Sequence, residues 1–340
     1  MAEVRFMFRG SPVTVNPGKS FHRPHAKGFS DARADEMKAI VAAIQGGTPW
    51  RREIADRFAT HKPWLHDIIL SPKRNLFFEL LAAGPKSVLD IGCGWGQMTL
   101  PLAAGGNAVV ALEPEQHRLA FVEAAARQDR IADHIAFVAA DFLDCEFHSA
   151  FDVILSIGVL EWIGVFHEHL PPQDGQLEFL RRARRALAPG GCLVLGIENR
   201  VGAKYLLGCP DDHLGVANIA CLPATLANTR WKAATGYDLR SFTYAEFELR
   251  ERLEQAGFSS LRFFAAFPDY KLPEWIVAID GGGTELHRKL LSTAPPPERN
   301  GFDGSFLADE FQERLRAFYE DTARAGVAQK FVPSFFVLAQ

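Results

Sequence analysis

Several things are scarce in this chain. It has five cysteines and four methionines among 340 residues, and Cys93, Cys145, Cys192, Cys209 and Cys221 form no C-x-x-C pair. An odd, unpaired set argues against a disulfide framework, and reduced thiols in a cytoplasmic protein are expected. No apolar run reaches the ~18 residues that suggest a membrane span. The start, Met1-Ala2-Glu3-Val4-Arg5, lacks the apolar core of a secretory signal. Excess charge of one sign is missing too: 37 Lys and Arg stand against 41 Asp and Glu, a net −4. That balance lacks the basic footprint of a non-specific nucleic-acid binder. What remains, 48% hydrophobic and 23% charged, is ordinary for a globular protein, and the length allows one elaborated domain or two.

Residues 1–30 show no period and predict an arm or a short strand. Asp31 to Gln45 reads as a helix capped by Asp31, with Met37, Ile40, Val41 and Ile44 as its apolar stripe. Thr48-Pro49 and Ser71-Pro72 each pair a cap with a proline suited to the first helical turn, the second opening a helix to Gly84-Pro85. From residue 87 strand and helix patterns alternate, which predicts a parallel sheet covered on both faces. Strands are expected at 87–91, 108–112, 135–139, 151–156 and 191–197, with helices at 96–104, 115–128 and 175–188. Residues 198–241 break the rhythm as an insertion. Thr243 to Ala256 resumes as a helix, Leu261 to Phe267 as a strand, and Phe331 to Leu338 as the last strand. Between them, 268–330 is a second insertion, with Pro295-Pro296-Pro297 an exposed loop.

The strand at 87–91 carries the most informative signal. Ser87-Val88-Leu89 runs into Asp90 and then Gly92, Gly94 and Gly96, with Cys93 inside the loop. Glycine tolerates positive φ and lets backbone approach a ligand, and a strand that turns this way into a helix makes a nucleotide-type pocket. The dinucleotide fingerprint G-x-G-x-x-G would need glycine at 97, where Gln97 stands. Asp90 suits a ligand that carries an ammonium group. The second strand ends in Glu113-Pro114, where a carboxylate accepts hydrogen bonds from ribose hydroxyls, in either a nicotinamide or a sulfonium nucleoside. Otherwise it is an acid that merely ends a strand. The third ends in Asp141-Phe142, fitted to an adenine amino group and ring, or else to a helix cap. After the fourth, the backbone at Ser156 and Ile157 faces the reacting end of the pocket.

The order Asp90 to Gly96, Glu113, Asp141 and Leu187-Ala188-Pro189-Gly190-Gly191 resembles the class I S-adenosylmethionine (SAM) methyltransferases over residues 85–200. Further on, Ile197-Glu198-Asn199-Arg200-Val201-Gly202-Ala203-Lys204-Tyr205-Leu206-Leu207-Gly208, Asp212-His213 and Phe267-Pro268-Asp269-Tyr270-Lys271-Leu272-Pro273 resemble a subgroup found with bacterial surface-polysaccharide and glycan biosynthesis enzymes. The resemblance implies SAM as donor and a doubly wound, seven-stranded α/β Rossmann-like sheet of order 3-2-1-4-5-7-6 with one antiparallel strand. Residues 1–70 would be an N-terminal arm and helices. Residues 71–340 would be the methyltransferase domain, with insertions after strands five and six.

The expected reaction is O-methylation of a saccharide or glycan precursor, with a small natural-product hydroxyl, amine or carbon as the alternative acceptor. A sulfonium methyl is already activated, so the protein mainly supplies alignment and, for a hydroxyl, a general base. Glu198, Asp211, Asp212 and His213 follow the fifth strand, on the side where acceptors bind in this fold. His213 is the first choice because imidazole titrates near neutrality; Glu198 and Asp212 follow it, and a solvated loop histidine is the bland alternative. Glu198-Asn199-Arg200 either contacts substrate or caps the strand, and Tyr205, Tyr237 and Tyr270 either stack on a sugar ring or, the preferred reading, anchor the insertions. No carboxylate ends the fourth strand and no metal-ligand spacing accompanies it. His167, Glu168 and His169 read as surface loop residues, so a metal-independent transfer is expected. The run Arg181-Arg182-Ala183-Arg184-Arg185 reads as a solvated helix face rather than a nucleic-acid site. A nicotinamide oxidoreductase and a non-catalytic SAM-binding scaffold are the competing classes.

Overall fold

Buried β-branched and aliphatic runs set the frame. In a computed structural model, which describes residues 3–23, 31–148, 150–279 and 308–340, the strands are β1 (Val4–Phe8), β2 (Ser11–Val15), β3 (Ser20–His22), β4 (Ser87–Ile91), β5 (Ala108–Leu112), β6 (Ile135–Ala139), β7 (Cys145–Glu146), β8 (Phe151–Ile157), β9 (Leu187–Glu198), β10 (Leu261–Phe267), β11 (Trp275–Ala278) and β12 (Ser334–Ala339). All five residues of β6 and all six of β12 are buried. Strands covered on both faces read as such continuous apolar runs.

The chain divides into two compact units. The first comprises 1–157 and 181–194, with residue 340. In it the strands lie in the order β3-β6-β5-β4-β8, followed by the start of β9, and the β3–β6, β6–β5, β5–β4 and β4–β8 pairs are parallel. A separate antiparallel sheet, β2-β1-β7, uses the same N-terminal stretch. The segment 1–30, expected to be an arm or short strand, therefore supplies two strands to one sheet and an edge strand to another. The second unit comprises 158–180 and 195–339. There the end of β9 is followed by β12, β10 and β11, and β10 pairs antiparallel with both neighbours. Among the described residues the larger sheet thus has nine strands where seven were expected, because Ser20–His22 and Trp275–Ala278 occupy edges that no apolar periodicity announces.

Other departures are local. Asp31 does not cap the first helix, which spans Ala34–Gln45 with Arg33 at its N-cap; Asp31 is drawn instead to Trp95 and Arg118. The helix expected after Ser71-Pro72 is a 3-10 helix, Pro72–Leu80, and an unforeseen helix, Pro63–Leu70, precedes it. β9 begins at Leu187, so the 188–191 turn lies within the strand span. The second insertion contains β11 and the helix Ala308–Arg324; Pro295-Pro296-Pro297 lies outside the described residues. The helix Pro172–Ala186 carries the arginine run. Arg181 and Arg185 are exposed there, whereas Arg182 is half-buried and donates to the Leu143 carbonyl. His167 is buried, unlike the surface residue expected, while Glu168 and His169 are exposed.

Asn199, in the second unit, is fully buried. Its Nδ2 donates to the Lys330 and Val332 carbonyls at 2.9 and 2.8 Å, and its backbone N–H to Pro333 at 3.0 Å. Asn199→Ala leaves two carbonyls without those donors, so stability should fall by roughly 2–4 kcal/mol. A midpoint shift in urea unfolding monitored by fluorescence checks this.

Candidate functional site

The first unit presents the loop after β4. Gly92 and Cys93 donate their N–H groups to the Leu112 carbonyl at 2.8 and 3.1 Å, which ties the turn to the end of β5. Gly94 (φ +55°) and Gly96 (φ +77°) take left-handed conformations. A Cβ on Gly96 would also press on Leu100 and Val122 at 3.1 Å. Glycine is required there by both backbone and space. Beneath the loop, Trp95 Nε1 donates to Asp31 at 3.1 Å, and the same carboxylate takes a charged hydrogen bond from Arg118.

The carboxylates stand at strand ends. Glu113 accepts from Gly94 N–H at 2.9 Å through Oε2 and from Glu115 N–H at 3.0 Å through Oε1. An ionised carboxylate has about four lone-pair sites, so acceptor capacity remains for two ribose hydroxyls. Burial pushes its pKa up, against the pull of Arg118 and the two backbone donors. Asp90 accepts from Thr99 Oγ1 at 2.6 Å. Burial raises its pKa to about 7, against the effects of Thr99 and Arg74 and with a small push from Glu113. Asp141 caps the short 3-10 helix Phe142–Asp144 through Oδ1, which accepts from Leu143 N–H at 2.8 Å. Phe142 is buried beside it, and Pro114 is half-buried. Ser156, at the carboxyl end of β8 before Ile157, is fully buried with an Oγ that finds no hydrogen-bond partner. Cys93 contributes backbone rather than a reactive sulfur: burial holds its thiol well above its ordinary pKa. The loop stripped of Cβ atoms, carboxylates with spare acceptor capacity and an orphaned hydroxyl all fit a nucleoside that carries a cationic tail.

The second unit holds a different construction, a buried charged cluster. Lys271 Nζ lies 2.7 Å from Glu198 Oε1 and 3.6 Å from Asp212 Oδ2. Asp212 also accepts from Tyr205 Oη at 2.6 Å and Lys204 Nζ at 2.7 Å. His213 Nε2 is 3.4 Å from Glu161 and 3.6 Å from Glu198, and its Nδ1 is 3.6 Å from Asp211. Tyr270 Oη donates to Glu161 Oε1 at 3.4 Å. Gly158 is bare because a Cβ there would meet that hydroxyl at 2.8 Å.

Charge states follow from these neighbours. Burial penalises the His213 imidazolium, yet Glu198, Asp211 and Glu161 outweigh it and hold the pKa well above the usual histidine range. That direction favours the imidazolium, which has no lone pair to act as a general base, so the three acids around the ring weigh against the role expected from its free pKa. Burial opposes ionisation of Glu198 and Asp212 as well. Lys271 and His213 nevertheless lower the first, and Lys271 and Lys204 hold the second below the usual carboxylate range, so both are weak proton acceptors. Glu161 moves the other way: burial and Glu198 raise it, although His213 partly compensates.

Of the residues singled out from sequence, Glu198, Asp211, Asp212 and His213 come together here, with Tyr205 and Tyr270. Tyr237 is exposed and apart. Asn199 serves backbone carbonyls, and Arg200 pairs with Glu248 and donates to the Cys221 carbonyl at 3.0 Å, so these two order the insertion. Glu161, Lys204 and Lys271 were given no role from sequence. Their only signal was an acid shortly after the fourth strand and lysines inside two apolar-flanked motifs.

A methyltransferase-domain family model matches residues 88–191. The chain is similar to the tRNA U34 carboxymethyltransferase of Ectopseudomonas mendocina, 28% identical over 80% of this chain and 77% of the relative. The Pseudomonas fluorescens enzyme of that name is also 28% identical, over 60% of this chain and 61% of the relative. The ubiquinone biosynthesis O-methyltransferase of Pseudomonas aeruginosa is 30% identical over 45% and 64%. The chain thus spans about three fifths of the length of two of these three relatives. Among solved structures, a cyclopropane synthase of Mycobacterium tuberculosis is similar with a TM-score of 0.45 and 22% identity, over 79% of this chain and 83% of that one.

Gly94→Val places a β-branched side chain at φ +55° beside Glu113's backbone contact. Titration calorimetry should show SAM binding abolished while the fold is retained. Residues 88–191 match a methyltransferase domain, and SAM is the cofactor that this match supports.

Proposed function

We propose that the chain is a SAM-dependent O-methyltransferase that holds SAM on the first unit's loop after β4 and acts on a small hydroxyl acceptor. The observation that carries it is the bare loop at Gly94 and Gly96 with Asp90, Glu113 and Asp141 at successive strand ends. SAM supplies an activated methyl on its sulfonium. The protein's own part is to hold the ribose on Glu113, the ammonium on Asp90 and the adenine edge on Asp141, and to exclude water from the acceptor. The glycan acceptor suggested by the sequence motifs has no counterpart among the named relatives, whose names concern tRNA and ubiquinone. A compact acceptor is favoured by the near-neutral charge of the chain and by the burial of the cluster.

Labelled SAM offered with phenols, nucleotide sugars and bulk tRNA tests the reading. Alkali-stable label on a small hydroxyl supports it, and label only on tRNA overturns it.

The raised Asp90 gives a pH signature. Below pH 7 its carboxyl is protonated and must lose that proton before it meets an ammonium, so SAM should bind about tenfold more weakly at pH 6 than at pH 8. Calorimetry at the two pH values, with Asp90→Asn expected to flatten the difference, checks the sign.

A further inference from the structure

Glu161, Glu198 and His213 are separated by 37 and 15 positions in the chain. Each offers one ligand atom, and these atoms all lie within 4.8 Å of one another. We propose that these three side chains form a binding site for a borderline first-row divalent metal ion, of the zinc or manganese class.

The spacing argues for it. His213 Nε2 stands 3.4 Å from Glu161 Oε1 and 3.6 Å from Glu198 Oε2. Those separations exceed the roughly 2.7–3.2 Å of a good hydrogen bond. They match the roughly 3.4 Å between two ligands that share a tetrahedral ion with bonds near 2.0–2.1 Å. Glu161 is fully buried, and its Oε2 has no hydrogen-bond partner. An isolated carboxylate oxygen away from water is costly, and a cation at the centre of the three groups answers that cost.

Two of the three ligands are also held from behind, as metal ligands commonly are. Asp211 Oδ1 faces His213 Nδ1 at 3.6 Å, leaving Nε2 to point inward. Lys271 occupies the far oxygen of Glu198, so Oε2 is the one turned to the centre. The Trp162 ring meets the imidazole edge to face, with centroids 5.1 Å apart, and fixes its plane. One imidazole and two carboxylates suit zinc or manganese better than calcium, which takes six to eight oxygens, or magnesium, which keeps its waters. The sequence carries no ligand spacing because the three residues follow different elements.

The inference goes beyond methyl transfer, and a chain without metal can still methylate, so the two can fail separately. The untagged full chain, stripped with chelator, is dialysed against Zn²⁺ and Mn²⁺ and titrated with Co²⁺ by visible absorption. One ion per chain is expected, with Co²⁺ bands that disappear in His213→Ala and in Glu161→Gln. Asp211→Asn keeps the acceptor that its turn needs and should weaken metal affinity by about 10–100-fold. SAM binding, measured on every variant, reports that the chain is still folded. Substoichiometric binding to the wild type, binding undiminished in both ligand variants, or preference for Ca²⁺ over Zn²⁺ and Mn²⁺ overturns the site.

Discussion

Burial of carboxylates is the constraint around which this protein is arranged. Asp90, Glu113, Asp141, Glu161, Glu198 and Asp211 are all buried. A buried acid either finds donors and cations or gives up its charge, and the two units answer that demand differently. In the first, backbone N–H groups and one hydroxyl serve the acids: Gly94 and Glu115 donate to Glu113, Leu143 to Asp141 and Thr99 to Asp90. Solvation by fixed dipoles is incomplete, and burial still raises Asp90 and Glu113. Such acids are primed for a ligand that brings positive charge and hydroxyl donors. In the second unit, full charges do the work, since Lys204, Lys271 and His213 stand among the acids.

The cluster shows why a free pKa is a poor guide to role. Histidine attracts attention as a base because its ordinary pKa is near 7. Among three carboxylates the same ring is pushed toward its cationic form. Its usefulness then lies in orienting anions and lone pairs, or in exchanging the proton for a metal. Glu161, an unremarked acid in an apolar stretch, leaves its Oε2 without a hydrogen-bond partner.

Local sequence was enough wherever the chemistry is local. The loop from Asp90 to Gly96 needs left-handed backbone at alternating positions, and only glycine supplies it cheaply. Glu113 and Asp141 sit at the ends of runs whose apolar character marks them as buried strands, so their placement at one edge of a parallel sheet follows from strand length and direction. The helices Gln116–Gln128 and Glu246–Gln255 also lie close to where periodicity put them. Asp31 shows the limit: as a polar residue before an apolar stripe it reads as a cap, yet Trp95 and Arg118, 64 and 87 positions away, compete for it and win. The edge strands Ser20–His22 and Trp275–Ala278 are short and half-covered, so they leave no alternation to read.

By itself the sequence determined the glycine turn and the acids at three strand ends, because those features depend on residues next to one another. Tertiary structure alone decided which polar residues of the insertions meet: Glu161, Glu198, Lys204, the 211–213 turn and Lys271 are brought to one point by separate elements. Their charges are set by that meeting, since electrostatic energy in a dry interior depends on distances that no linear spacing encodes.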